Sequence, residues 1–154
     1  MAFDDSIKEA LPDYAKDTKL NLDAVLVRST LDADVAMGCA VAALAATGNG
    51  KILSVILADA PVYAESAMTA ASIMAQNNVW YPYVEMADDA NLSGLPAGLR
   101  MNAIANHGGT TKTNFEAFSL AASIVGKCHF CVKAHYETLK AEGYTVENLS
   151  LIHI

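Results

Sequence analysis

Cys128-His129-Phe130-Cys131-Val132-Lys133-Ala134-His135 sets two thiols and an imidazole at a spacing suited to redox chemistry. Positions 128, 131 and 135 fall on one face of a helix, because residues three, four and seven apart are neighbours there. Val132 and Leu139 extend that face, and Lys133, Glu137 and Lys140 lie opposite it. A thiol attacks only as the thiolate, which a helix N-terminus and a nearby histidine both favour. Gly126-Lys127 reads as a tight break, so Cys128 starts the next helix, and His135 follows Cys131 by one turn. The pattern points to dithiol–disulfide chemistry. The helix dipole favours Cys128 as the activated sulfur, and the histidine favours Cys131.

Glu116 precedes the motif on another helical segment. Ser119, Leu120 and Ser123 share its side, whereas Phe115, Phe118, Ala122 and Val125 lie on the other. Two readings stand for it: a proton-handling carboxylate, or the acidic member of a capping box with Thr113. The motif also offers three zinc ligands, and His107 or His129 could add a fourth. Structural zinc needs four ligands, and there is no second Cys-x-x-Cys or histidine pair to supply them. A zinc-stabilised helical interaction module is therefore the alternative, not the leading reading. A thioredoxin-type Cys-x-x-Cys follows a strand, and here a helix precedes it. His129 points about 100° off the stripe, and Cys39, in an alanine-rich segment, reads as a small core residue.

The elements that must carry these residues are helical. Helices are expected over 6–16, with Ser6 as N-cap and Pro12 interrupting, from Asn21 towards Arg28, and over 32–46, with Thr47-Gly48-Asn49-Gly50 as the stop. Residues 51–60 are read as helix despite their β-branched content. The helix over 64–75 is expected to end at Asn77-Asn78, with Trp80-Tyr81-Pro82-Tyr83 as a separate aromatic turn for core or interface. Residues 91–97 read as loop, 98–105 as helix and 106–111 as a polar turn. Helices over 113–125 and 129–141 then bracket the break, and a last segment starts at Thr145. No strand alternation is present, so the fold class is all-α, in a single domain over 1–154.

Composition narrows the partners. A net charge of −7 gives no basic footprint for nucleic acid, and no Lys/Arg cluster suits a membrane surface. No apolar run reaches the roughly 18–20 residues of a spanning helix. The acidic start Met1-Ala2-Phe3-Asp4-Asp5 does not resemble a signal peptide, so the expected location is cytoplasmic. In a reducing compartment a Cys-x-x-Cys is catalytic or metal-binding more often than a staple.

Glu116, residues 117–127 between, and Cys128-x-x-Cys131-x-x-x-His135 together resemble the AhpD alkylhydroperoxidase family of the carboxymuconolactone decarboxylase-like superfamily. Leu11-Pro12-Asp13-Tyr14-Ala15-Lys16-Asp17, Asn77-Asn78-Val79-Trp80-Tyr81, Gly98-Leu99-Arg100-Met101-Asn102 and Asn114-Phe115-Glu116 carry the likeness over most of the chain. The resemblance implies an all-helical homotrimer acting in thiol-based antioxidant defence without metal or haem. It implies electrons passing from a lipoyl-bearing dihydrolipoamide acyltransferase through the dithiol to the peroxiredoxin AhpC, and weak direct reduction of alkyl hydroperoxides. The family's functional residues map onto Glu116, Cys128, Cys131 and His135. Some members carry a histidine just before the second cysteine, where this chain has Phe130, with His129 one place earlier. The family continues into another helix beyond the position of Ile154, so a truncated C-terminal helix is expected. A decarboxylase of the muconolactone type, which needs no cysteine pair, is a further alternative.

Overall fold

The computed structural model describes residues 2–153, with side chains from residue 5 onward. Among them there are nine α-helices and no strand: α1 (Ala2–Ala10), α2 (Lys16–Leu22), α3 (Ala33–Thr47), α4 (Gly50–Ala58), α5 (Ala64–Ala87), α6 (Ala90–Ser93), α7 (Lys112–Gly126), α8 (His129–Ala141) and α9 (Val146–Ser150). A single-turn 3₁₀ segment (Asp13–Ala15) leads into α2, and a π-helical turn (Asp23–Val27) extends it. A longer 3₁₀ segment, Asn102–Gly109, precedes α7. No helix among the described residues is long and apolar enough to cross a membrane.

α7 is the centre of the fold, packed against α3, α5 and α8. Phe115 and residues 117–123 are all buried, which is why α7 reads as apolar around most of its circumference. Close approach of α3 depends on small residues. A Cβ at Gly38 would overlap the ring of Phe118, which is itself fully buried. Asp32 caps α3 by accepting from the amides of Asp34 and Val35 at 3.0 and 3.2 Å. Gly48, in the left-handed region, ends it. An apolar cavity of about 420 Å³ opens beside α3 and α4, lined among others by Ile7, Leu22, Leu26, Leu44 and Ile52. None of the motif residues lines it.

Several boundaries differ from expectation. α1 begins at Ala2, so Ser6 lies inside a helix and not at its cap. Pro12 divides the expected first helix and starts the 3₁₀ turn. α5 runs without a break through Asn77-Asn78 and through Trp80-Tyr81-Pro82-Tyr83. Tertiary contacts override the local stop signal there, because Asn77 is buried and Asn78 Nδ2 donates to the carbonyl of Ala122 on α7 at 3.1 Å. Residues 98–101 are irregular, and the helical turns lie later, over Asn102–Gly109, with His107 and Gly108 at positive φ.

Candidate active site

The junction between α7 and α8 is built by the backbone. Lys127 sits in the left-handed region at φ 53°. Its amide donates to the carbonyl of Ile124 at 3.2 Å, and the next amide, of Cys128, reaches the carbonyl of Ser123 at 3.3 Å. These two bonds close the C-terminus of α7 in a Schellman arrangement. A glycine normally holds that position, and a lysine there costs roughly 1–2 kcal/mol of local strain. Gly126 is needed next to it, since a Cβ at that position would overlap the side chain of Asn78. The turn delivers Cys128 to the N-cap of α8, where its Sγ accepts from the amide of Cys131 at 3.3 Å.

Cys128 and Cys131 are disulfide-bonded, with Cα atoms 5.3 Å apart. Both are buried, at 0% and 3% exposure. Cys128 Sγ lies 3.9 Å from the carbonyl oxygen of Asn77 on α5. One turn further along α8, His135 Nδ1–H donates to Glu116 Oε2 at 2.6 Å, a short charge-assisted bond. The tautomer is assigned from this network. The other ring nitrogen, Nε2, faces Met74 Sδ at 3.2 Å. The histidine and glutamate side chains are 17% and 19% exposed, shielded from bulk water yet within its reach.

The predicted residues thus gather as two pairs on one face of α8: the cysteines at its N-terminus, and Glu116 with His135 a turn away. No hydrogen bond among the described residues joins His135 to either sulfur. The inward stripe is as the spacing suggested, with Cys131 and Leu139 buried and Lys133, Glu137 and Lys140 exposed. The capping-box reading of Glu116 does not hold. α7 starts at Lys112 and its cap is Thr111, whose hydroxyl accepts from the Asn114 amide at 3.1 Å. Glu116 is the fifth residue of the helix, beyond the first turn. His129 is peripheral, 80% exposed and paired with Glu85 at 2.9 Å. Phe130 stacks on Tyr81 with ring centroids 4.3 Å apart. Cys39 is fully buried, and burial pushes its thiol up to about 12.

Among the described residues no three His, Cys, Asp or Glu side chains converge in a metal-sized cluster. Sequence reasoning missed Met74, Asn77 and Asn78, which complete the α5 wall. Two adjacent asparagines inside a helical pattern were the available signal, and they read as a stop instead.

The description "Carboxymuconolactone decarboxylase family" matches residues 92–153, the region that holds α7, α8 and both pairs. Relatives named alkyl hydroperoxide reductase AhpD match nearly the whole chain. That of Anaeromyxobacter sp. (strain K) is 42% identical over 154 residues, covering 97% of this chain and 82% of its own length. That of Rhodospirillum centenum is 41% identical, covering 94% and 80%. That of Rhodopseudomonas palustris (strain BisB18) is 40% identical, covering 90% and 79%. The all-helical chain belongs to the AhpD family of alkyl hydroperoxide reductases.

Proposed function

We propose that this protein is a thiol-dependent oxidoreductase that reduces alkyl hydroperoxides with the Cys128–Cys131 pair, as its relatives' names imply. The observation that carries the reading is the 2.6 Å Glu116–His135 bond one helical turn from a bonded Cys-x-x-Cys. That combination supplies both a two-electron store and a proton acceptor.

In the reduced protein, the Glu116–His135 pair takes the proton of the attacking thiol. The thiolate attacks one peroxide oxygen, the O–O bond breaks, and the sulfur becomes a sulfenic acid. The same pair returns its proton to the departing alkoxide, which leaves as the alcohol. The second thiol then displaces the sulfenic oxygen as water and forms the disulfide. Cys131 is assigned as the attacking sulfur, because His135 follows it by one turn and it is the less buried of the two. Cys128 at the helix N-cap is suited to leave as thiolate when a dithiol reopens the bond. Its sulfur accepts the Cys131 amide and faces the positive end of the α8 dipole. Cys131→Ser should abolish hydroperoxide turnover, and normal turnover in that variant would sink the assignment.

The reductant in this reading is a dihydrolipoyl group on a lipoyl-bearing acyltransferase. It exchanges with the disulfide and leaves as lipoyl disulfide, restoring both thiols. No bound cofactor is required. The peroxiredoxin AhpC is a second acceptor, its disulfide reduced by the same dithiol. Assembly is as a homotrimer, with Val79, Tyr83 and Met86 as contact residues. They are exposed and lie on one face of α5 at helical spacing. A monomer in light scattering would remove that assembly. The cellular location fitting this chemistry is the cytoplasm.

A further inference from the structure

Met74 brings to the acid–base pair a sulfur that the proposed reaction leaves unused. The residue is 1% exposed on α5, and its Sδ lies 3.2 Å from His135 Nε2. A second nitrogen points at it: Asn77 Nδ2, one turn along α5, approaches the same sulfur at 3.9 Å. That amide also reaches Met101 Sδ at 3.4 Å, and it has no other acceptor among the described residues. A thioether is a weak acceptor, so a buried amide and an imidazole nitrogen are both met here by a poor partner. An oxygen carried on Met74 Sδ would be a strong acceptor between them. The same asparagine places the thioether beside the cysteines, because Cys128 Sγ lies 3.9 Å from its carbonyl oxygen. Cys128 and Cys131 are 0% and 3% exposed, so a hydroperoxide that reaches them has come as deep as Met74.

We propose that Met74 is a modification site: once Cys128 and Cys131 are joined, a further alkyl hydroperoxide oxidises Met74 to its sulfoxide, and the sulfoxide shuts down peroxide reduction. The proposal rests on the reading of Glu116 and His135 as the acid–base pair. In the disulfide state neither cysteine offers a thiolate, and the thioether is the nucleophile that remains against His135. His135 Nε2, which carries a lone pair while Nδ1–H donates to Glu116, takes the hydroperoxide hydrogen. The Met74 sulfur bonds the terminal oxygen and the O–O bond breaks. Nε2 hands the proton to the alkoxide, which leaves as the alcohol. The thioether is oxidised and the peroxide reduced by the same electron pair. The product sets a polar S=O between His135 and Asn77. Nε2 can bond that oxygen only as N–H. A ring with hydrogen on both nitrogens has no lone pair left for the proton of a thiol, so the protein stays slow after its disulfide is reduced.

The test is peptide mapping of the disulfide form under excess tert-butyl hydroperoxide, followed by turnover of the same samples with dihydrolipoamide. Oxidation by simple collision follows exposure, which ranks Met86 at 79% and Met68 at 40% far ahead of Met74. The proposal predicts that Met74 sulfoxide forms at least as fast as Met86 sulfoxide. Turnover of the treated protein should fall roughly ten-fold or more, since a positioned acid–base group supplies roughly 10²–10⁴-fold. Met74→Leu, a volume-conserving exchange checked by its melting temperature, should keep its own rate from before the treatment. Oxidation in order of exposure, with Met74 last, overturns the proposal in the unaltered chain alone. So does Met74 sulfoxide that accumulates with turnover retained, or an equal loss of turnover in Met74→Leu. If the untreated protein reduces no hydroperoxide with dihydrolipoamide, the function proposed above falls, and the order of methionine oxidation decides the modification of Met74 separately.

Discussion

Glu116→Gln separates chemistry from architecture at the centre of the site. Glutamine keeps the shape of the side chain and an oxygen that can still accept from His135 Nδ1–H, but it carries no charge and cannot take a proton. The bond it alters is short, at 2.6 Å, and its partners are 19% and 17% exposed. A charge-assisted bond contributes roughly 1.5–3 kcal/mol and a neutral one roughly 0.5–1.5. The difference, reduced by partial solvent screening, gives a stability loss of about 1 kcal/mol or less. Since Thr111 caps α7 and Glu116 lies beyond the first turn, no capping loss is added. The kinetic effect should be larger. Removing a positioned proton acceptor typically lowers the rate about 10²–10⁴-fold, which is about 2.7–5.5 kcal/mol of barrier. Urea unfolding reads the first quantity, and stopped-flow thiol oxidation by an alkyl hydroperoxide reads the second. A rate within about three-fold of the unaltered protein, alongside a stability loss above about 2 kcal/mol, would refute the reasoning and make the pair structural.

Two further outcomes are expected. Gly38→Ala should drive a methyl into the Phe118 ring and destabilise by about 1–3 kcal/mol, lowering the melting temperature by several degrees; an unchanged melting curve would show that α3 and α7 can separate freely. Cys39 should resist iodoacetamide in the native protein and make stability depend on pH only in alkali. Its thiol is raised from 9.0 to about 12, so its contribution is complete below about 9 and is lost as pH climbs towards 12. The alkaline fall in unfolding free energy should therefore flatten in Cys39→Ala, and identical pH dependence in the two proteins would contradict the burial argument.

Much of this molecule was legible in its sequence because the signals are local. The Gly126-Lys127 break and the inward stripe of Cys131, His135 and Leu139 follow from spacing and turn chemistry, and the helix expected over 51–60 is present as α4, which stops at Ala58. What was illegible depends on contacts between distant segments. Asn77-Asn78 reads as a stop, yet α5 continues because Asn78 bonds the backbone of α7 and Asn77 is enclosed beside the cysteines. Pro82 is carried inside the same helix, where it deprives only the carbonyl of Asn78 of a helical donor. Three threonines, at 110, 111 and 113, compete to cap α7, and packing selects Thr111. That choice moves Glu116 out of the first turn and leaves its carboxylate free to meet His135. The approach of Met74 to the imidazole joins residues 61 positions apart, which no sequence period encodes.

The central claim is that Cys128 and Cys131 cycle between dithiol and disulfide in step with peroxide reduction. Thiols should be counted on reduced native protein before and after one equivalent of alkyl hydroperoxide, then again after dihydrolipoamide. The account predicts that two thiols disappear, that both return, and that Cys39 takes no part. Retention of all thiols in the presence of peroxide, or their loss without recovery under dihydrolipoamide, would contradict it.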